Sequence, residues 1–215
     1  KIWIKKECPE HGSFKSIFFE DPDDYERWKE YDREGNGVKN VEISNTGLYS
    51  EHKSQSVLTN LLVTNRCNLR CSYCFMNAGA SGYVYEPSLE EIDDMMDQAR
   101  REDPVPSKAI QITGGEPTVR DDLFDIVEMA DEKGFSHIQL NTNGIKLAES
   151  KEYCKKVKNS PINTVYMSFD GLTEESNPWI EQNKKAIENL RKADLGVVLV
   201  PTVIRDMNLE QLGDI

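Results

Sequence analysis

Three cysteines stand within eight residues, Cys67-Asn-Leu-Arg-Cys71-Ser-Tyr-Cys74, while Cys8 and Cys154 lie far from them. An odd, clustered set is the wrong arrangement for a disulfide framework, which spreads even numbers of cysteines through a short secreted chain. Three thiolates on one loop can instead wrap a face of a cubane and ligate three of its irons. The fourth iron is then left open, as a catalytic centre requires. A zinc knuckle is the other chemistry this spacing could support, but structural zinc closes on four ligands. No further Cys or His stands nearby in sequence, and His52 or Cys154 could join only through folding. A second candidate is Cys8-Pro-Glu-His11-Gly, two metal-ligand types on a tight turn, which amounts to half of a knuckle.

The elements around these residues follow from periodicity. Leu58–Asn65 is a β-rich run that ends at the cysteine cluster. Ser88 and Glu91 form a capping box ahead of Leu89, Ile92, Met95, Met96 and Ala99 at helical spacing. Ala109–Thr113 is a strand running into Gly114-Gly115-Glu116-Pro117. A helix from about Asp121 closes at Gly134, and Ser136–Asn141 is the next strand. A weaker helix near Leu147–Val157 and a strand at Thr164–Phe169 follow, then a helix at Trp179–Ala193 and a fifth strand at Gly196–Thr202. Strand and helix alternate without hairpin signals, which predicts βα units and a parallel sheet in the α/β class.

Polar and glycine residues cluster just after each of these strands, where parallel sheets hold their ligands. The clusters are Cys67–Cys74, Gly114–Pro117, Asn141–Gly144, Ser168–Gly171 and Thr202. Taken singly, Asn-Thr-Asn-Gly and Ser-Phe-Asp-Gly are ordinary turn sequences; five such ends together predict one pocket. Cys154, Met95 and Met96 read as core residues, His137 as structural, and Asp21–Glu34 as a solvated acidic face.

Residues 1–55 lack this regularity and read as a small N-terminal extension: a short strand at Ile2–Ile4, the CPEHG turn, and a short helix in the acidic stretch. Residues 56–215 read as the main domain. Ile215 falls inside the helix expected after the fifth strand, so the chain reads as truncated after its fifth βα unit.

Composition narrows the partners. Across 215 residues, 26 Lys+Arg against 38 Asp+Glu give a net charge of −12. That balance argues against nucleic acid, whose phosphates are bound by clustered cations. No apolar run approaches the roughly 18 residues of a membrane span, and the N-terminus has no signal-peptide pattern. The expected location is the cytoplasm.

CxxxCxxC with Tyr73 before the last cysteine resembles the signature of the radical S-adenosylmethionine (SAM) superfamily, and Gly114-Gly115-Glu116-Pro117 resembles its GGEP motif. The resemblance covers about residues 56–215 and implies a partial (β/α)6 barrel with a [4Fe–4S] cluster on Cys67, Cys71 and Cys74. It implies that SAM is cleaved reductively to a 5′-deoxyadenosyl radical, and that a donor such as ferredoxin or flavodoxin supplies the electron. Carried over by position, Tyr73 would lie against adenine, and the Gly114–Pro117 backbone with Glu116 would hold the SAM amino group. Asn141, Asn143, Ser168 and Asp170 resemble ribose and carboxylate contacts, with Thr202 near adenine. The family's GxIxGxxE pattern around the fifth strand has no counterpart in VVLVPTVIRDMN.

The CPEHG turn is similar to a feature of archaeal tetraether lipid synthases, in which Cys8 and His11 would be half of a structural zinc or iron site. That likeness implies C–C coupling of a lipid substrate. Pterin methylation, peptide modification and molybdopterin-type cyclisation of small molecules are alternatives on the same barrel, and an iron–sulfur or zinc-binding scaffold is the non-enzymatic one.

Overall fold

A computed structural model of the chain describes residues 1–32, 56–78, 81–102 and 105–215. The chain divides into two compact units, Lys1–Gly47 and Leu48–Ile215. The boundary expected after residue 55 falls outside the described residues.

In the first unit, β1 (Ile2–Cys8) pairs antiparallel with β2 (Gly12–Phe19), with Cys8 opposite Gly12. The strand expected over Ile2–Ile4 is therefore longer, and CPEHG is the tip of a hairpin. Gly12 makes that tip possible by adopting φ +81°, a left-handed conformation that costs glycine little. Helix α1 (Pro22–Lys29) starts where Asp21 accepts hydrogen bonds from the Asp23 and Asp24 amides, with Pro22 in its first turn. Phe19 packs at a tilt against Tyr25 and edge-on against Trp28, with ring centroids 5.6 and 5.7 Å away.

In the second unit, five parallel strands lie side by side in sequence order: β3 (Thr59–Thr64), β4 (Ala109–Gly114), β5 (His137–Thr142), β6 (Thr164–Ser168) and β7 (Gly196–Val200). Helices α2 (Leu89–Arg100), α3 (Leu123–Glu132), α4 (Ile145–Glu149), α5 (Lys151–Lys158) and α6 (Ile180–Lys192) connect them. This is the α/β architecture of a partial (β/α) barrel. The capping box at Ser88 and Glu91 is formed at the start of α2. The helix expected over residues 147–157 is two helices, because Ser150 adopts an extended conformation and caps α5 through the Tyr153 amide. After β7 the expected helix is replaced by turns and one 3₁₀ segment, Leu209–Gln211. There the Asn208 side chain donates to the Thr202 carbonyl at 2.7 Å and gathers the chain into a loop.

The period of two along each strand sorts the sheet into faces. Leu61, Val63, Ile110, Ile112, Ile138, Leu140, Val165 and Met167 are buried in one core with the helices, including Ile92, Val127 and Leu190. The alternate residues, such as Gln111, Asn141, Tyr166 and Val198, occupy the opposite face, which is only partly buried. Gln111 donates to Gln139 across that face at 2.9 Å.

The end of β4 presses on the root of the cysteine loop. The Gly115 amide donates to the Thr64 carbonyl at 2.7 Å, and the Glu116 amide to the Arg66 carbonyl at 2.8 Å. A Cβ on Gly114, where φ is +144°, would stand 2.2 Å from the Thr64 oxygen; one on Gly115 would stand 2.3 Å from the Arg66 oxygen. The two glycines thus admit a neighbouring backbone, at the turn where the family resemblance implies a hold on the SAM amino group. Arg120, buried beneath, donates to the Val63 and Pro87 carbonyls at 2.7 and 2.8 Å and pairs with Asp122. Gly114→Ala must combine overpacking with left-handed strain. The expected loss is roughly 2–6 kcal/mol, measured by urea unfolding. Gly196→Ala, whose Cβ would meet only the Asn163 oxygen at 3.8 Å, should change stability by less than about 1 kcal/mol.

Candidate functional site

All five strands of the parallel sheet end at one cleft of about 960 Å³, open solvent at its mouth included. The loop after β3 contributes Cys67, Cys71, Tyr73 and Cys74; β4 ends in Gly114 and Gly115; β5 in Asn141 and Asn143; β6 in Ser168 and Asp170; and β7 is followed by Thr202. Strand alternation explains the choice. The residues that sit two positions beyond Gln111, Gln139 and Tyr166 on the open face are Thr113, Asn141 and Ser168, and all three line the cleft.

Among the described residues, no three Cys, His, Asp or Glu side chains converge closely enough to share a single metal ion. A cubane makes a different demand, because each thiolate meets a different iron and the sulfurs stand apart. Three thiols spread around one cleft, which among the described residues no fourth Cys and no His lines, have the donor chemistry for such a cluster. Burial pushes the Cys67 and Cys71 thiols above their ordinary pKa, and the negative charges of Glu116 near Cys67 and Asp170 near Cys71 add to the effect. A bound cation is the factor that would favour the thiolates.

Two residues expected at the ligand lie below it. Glu116 is 1% exposed and is absent from the cleft lining. One carboxylate oxygen accepts from the Thr118 hydroxyl at 2.6 Å and the Thr142 hydroxyl at 2.7 Å, and the other from the Asn143 amide at 2.7 Å. Burial raises its pKa against the pull of these bonds. The carboxylate is spoken for, so its place is beneath the site, tying β4 to β5. Pro117, also buried, opens a 3₁₀ turn over Pro117–Val119 and does not line the cleft.

Other expected contacts reach the cleft with their polar atoms engaged. The Asn143 side chain donates to Asn68 at 2.7 Å and accepts from the Ile145 amide at 3.1 Å. Asp170 accepts from the Tyr73 hydroxyl at 2.9 Å and the Thr202 amide at 2.7 Å. The Tyr73 hydroxyl therefore points to a carboxylate; burial, and after it this carboxylate, raises the pKa of the phenol. Asn141 donates to Thr113 at 3.0 Å, while among the described residues its carbonyl oxygen and the Ser168 hydroxyl have no protein partner.

The cleft also includes Leu69, Phe75, Met76, Asn177, Trp179 and Asn183, which the sequence reading passed over. Asn183 left a trace in the sequence: it is a polar residue at helical spacing within the buried stripe Ile180, Ala186 and Leu190 of α6. It donates to the Asn143 carbonyl at 2.9 Å. Cys154 is 1% exposed and packs in the core, as expected.

Cys8 and His11 belong to the first unit. At the hairpin tip the Cys8 sulfur and His11 Nδ1 stand 3.3 Å apart.

Comparison with known proteins places these features in a family. Residues 61–215 match the radical SAM superfamily. The whole chain aligns at 45% identity over 228 positions with the 7,8-dihydro-6-hydroxymethylpterin dimethyltransferase of Methanocaldococcus jannaschii, covering 45% of that protein. A probable GTP 3′,8-cyclase of Archaeoglobus fulgidus is 35% identical over 163 residues, 74% of this chain and 52% of its own length. The chain thus spans about half the length of the curated relatives it matches. Among solved structures, Streptococcus suis SuiB bound to precursor peptide SuiA superposes with a TM-score of 0.58 at 17% identity, over 75% of this chain and 36% of that one. Native anSMEcpe with bound AdoMet gives 0.52 at 21%, over 67% and 43%. These last two likenesses concern the fold. With the family match running through every strand of the parallel sheet, this chain belongs to the radical SAM superfamily, whose members use a [4Fe–4S] cluster and SAM.

Proposed function

We propose that Cys67, Cys71 and Cys74 hold a [4Fe–4S] cluster, and that SAM binds along the strand ends of the same cleft. The carrying observation is the cleft itself, which gathers three thiols, the Gly114-Gly115 backbone and the free polar atoms of Asn141 and Ser168. When bound, the cluster supplies the electron that splits SAM into methionine and a 5′-deoxyadenosyl radical, which abstracts hydrogen from substrate.

The chain's own residues have narrower tasks. Backbone groups of Gly114 and Gly115 would receive the SAM amino group, and Asn141 and Ser168 its carboxylate and ribose. Asn143 would contribute after exchanging Asn68 for the ligand. Tyr73 and Thr202 border the adenine end, and Leu69, Phe75, Met76 and Trp179 give the cleft apolar walls that exclude water from a reactive radical. Glu116 and Asp170 hold these parts in place from protein side.

The substrate we favour is a reduced pterin that receives a methyl group, in keeping with the relative aligned along the whole chain. Cyclisation of a guanine nucleotide, named for several other relatives, is the second reading. Both substrates are fused nitrogen heterocycles. Lipid coupling, suggested by CPEHG, finds no echo in the names of these relatives. Among the described residues no helix is long and apolar enough to cross a membrane. A small electron carrier of the ferredoxin or flavodoxin kind is the partner this chemistry calls for.

Anaerobically reconstituted protein given dithionite and SAM should release 5′-deoxyadenosine. Replacing Cys67, Cys71 and Cys74 together by Ala should lower release at least a thousandfold, to the uncatalysed background. Undiminished release from the triple variant overturns the ligand set. Mass spectrometry after addition of 7,8-dihydro-6-hydroxymethylpterin or GTP separates the two substrates: a methylated pterin supports the first reading, a cyclised nucleotide the second.

Cys8 and His11 are, in this proposal, two of the four ligands of a structural zinc or iron site. Metal analysis of the natural full-length protein should show one tightly held ion lost on Cys8→Ser. Unchanged metal content would make the pair an ordinary hairpin turn.

A further inference from the structure

The cysteine loop is held unevenly. Its root is bound on several sides: Arg66 pairs with Glu86 at 2.7 Å, its amide donates to the Thr64 hydroxyl at 3.0 Å, and its carbonyl accepts from the Glu116 amide. Asn68, next to Cys67, accepts from Asn143 at 2.7 Å. Beyond Asn68 the support thins. Among the described residues, the Tyr73 hydroxyl makes the only hydrogen bond from residues 69–78 to a distant part of the chain. Among the described residues, residues 69–78 otherwise make only local hydrogen bonds, from the Leu69 amide to the Cys67 sulfur, the Cys74 amide to the Cys71 carbonyl and the Asn77 amide to the Cys74 carbonyl. Tyr73 lies two residues after Cys71 and one before Cys74.

The acceptor of that bond is firmly built. Asp170 is 8% exposed. Its second carboxylate oxygen takes the Thr202 amide at 2.7 Å, and its own carbonyl accepts from Asn208, a side chain that also donates to Thr202. The carboxylate therefore cannot swing away without breaking the junction after β6 and β7. A phenol donating to a carboxylate in a partly desolvated place makes one of the stronger neutral-to-charged hydrogen bonds.

We propose that Tyr73 is a positioning residue whose hydroxyl latches the far half of the cysteine loop onto Asp170, setting where Cys71 and Cys74 present their thiols. The consequence for a cluster rests on the ligand set proposed above; the latch itself does not. It gives Tyr73 a task that phenylalanine at the same position could not perform, separate from any contact of its ring with a ligand.

The test begins with reduced, cluster-free protein. Peptide-resolved alkylation by iodoacetamide should be about tenfold faster at Cys71 and Cys74 in Tyr73→Phe, the scale of one lost hydrogen bond to a charged group. Reactivity at Cys67 should change less than twofold, and so should the buried Cys154. Adding Asp170→Asn to the Tyr73→Phe protein should then raise Cys74 reactivity less than twofold further, because the bond both changes break is already gone; Cys71 is compared only between wild type and Tyr73→Phe, since the Asp170 charge acts on its thiol directly. In reconstituted protein, Tyr73→Phe should broaden the electron paramagnetic resonance signal of the reduced cluster, a signature that a change in global stability alone would not move. Equal alkylation rates in wild type and Tyr73→Phe, or fully multiplicative effects of the two substitutions at Cys74, overturn the latch. A cluster retained without the three cysteines would instead overturn the ligand set, leaving the alkylation result to decide the latch.

Discussion

Everything at the cleft hangs on a backbone-to-backbone contact between the end of β4 and the root of the cysteine loop. The Gly115 amide reaches the Thr64 carbonyl at 2.7 Å and the Glu116 amide reaches Arg66 at 2.8 Å. No side chain fits at either glycine, since a Cβ would fall 2.2–2.3 Å from a carbonyl oxygen. Because protein interiors are close-packed, such a contact leaves little freedom to either partner. The first cysteine follows Arg66 directly, so its place is inherited from the sheet.

Two buried carboxylates carry this order to the remaining strand ends. Glu116 spans β4 and β5 through Thr142 and Asn143, and Asp170 spans β6, the segment after β7 and, through Tyr73, the cysteine loop. Burying a carboxylate is costly unless donors surround it, and both are surrounded. Glu116 feels the cost as a raised pKa. Losing one donor from either would leave a buried acceptor unsatisfied, which is why these groups hold strands together more firmly than exposed ion pairs such as Lys184–Glu181. The same negative charges also raise the neighbouring thiols. Iron bonded to each sulfur would hold the thiolates against that effect.

Much of this organisation was legible in the chain. Alternation of two along Ala109–Thr113 or Thr164–Ser168 and near four along Leu89–Ala99 could only describe half-buried strands and one-sided helices, and short polar segments at every strand end pointed to a shared mouth. The cysteine spacing and the double glycine carried the family. What was misread has physical causes. The break between α4 and α5 came from Ser150, whose hydroxyl competes for a backbone amide that a continuous helix would need. The hairpin of the first unit went unseen because CPEHG has the residue types of a ligand turn as well as of a strand connection.

The covalent order of residues determined which strands exist, which of their faces is apolar, and which residues meet after each strand, because those follow from local periodicity and chain direction. It could not say which way a carboxylate at such an end turns. Glu116 and Asp170 were both plausible ligand contacts from their positions, yet one lies wholly beneath the cleft and the other is engaged by Tyr73 and Thr202. Asn183 and Trp179 entered the cleft from a different βα unit without any motif. Those outcomes depend on donors supplied by residues 26 to 97 positions away, and a buried polar group takes whichever partners the packed tertiary structure brings within hydrogen-bonding reach.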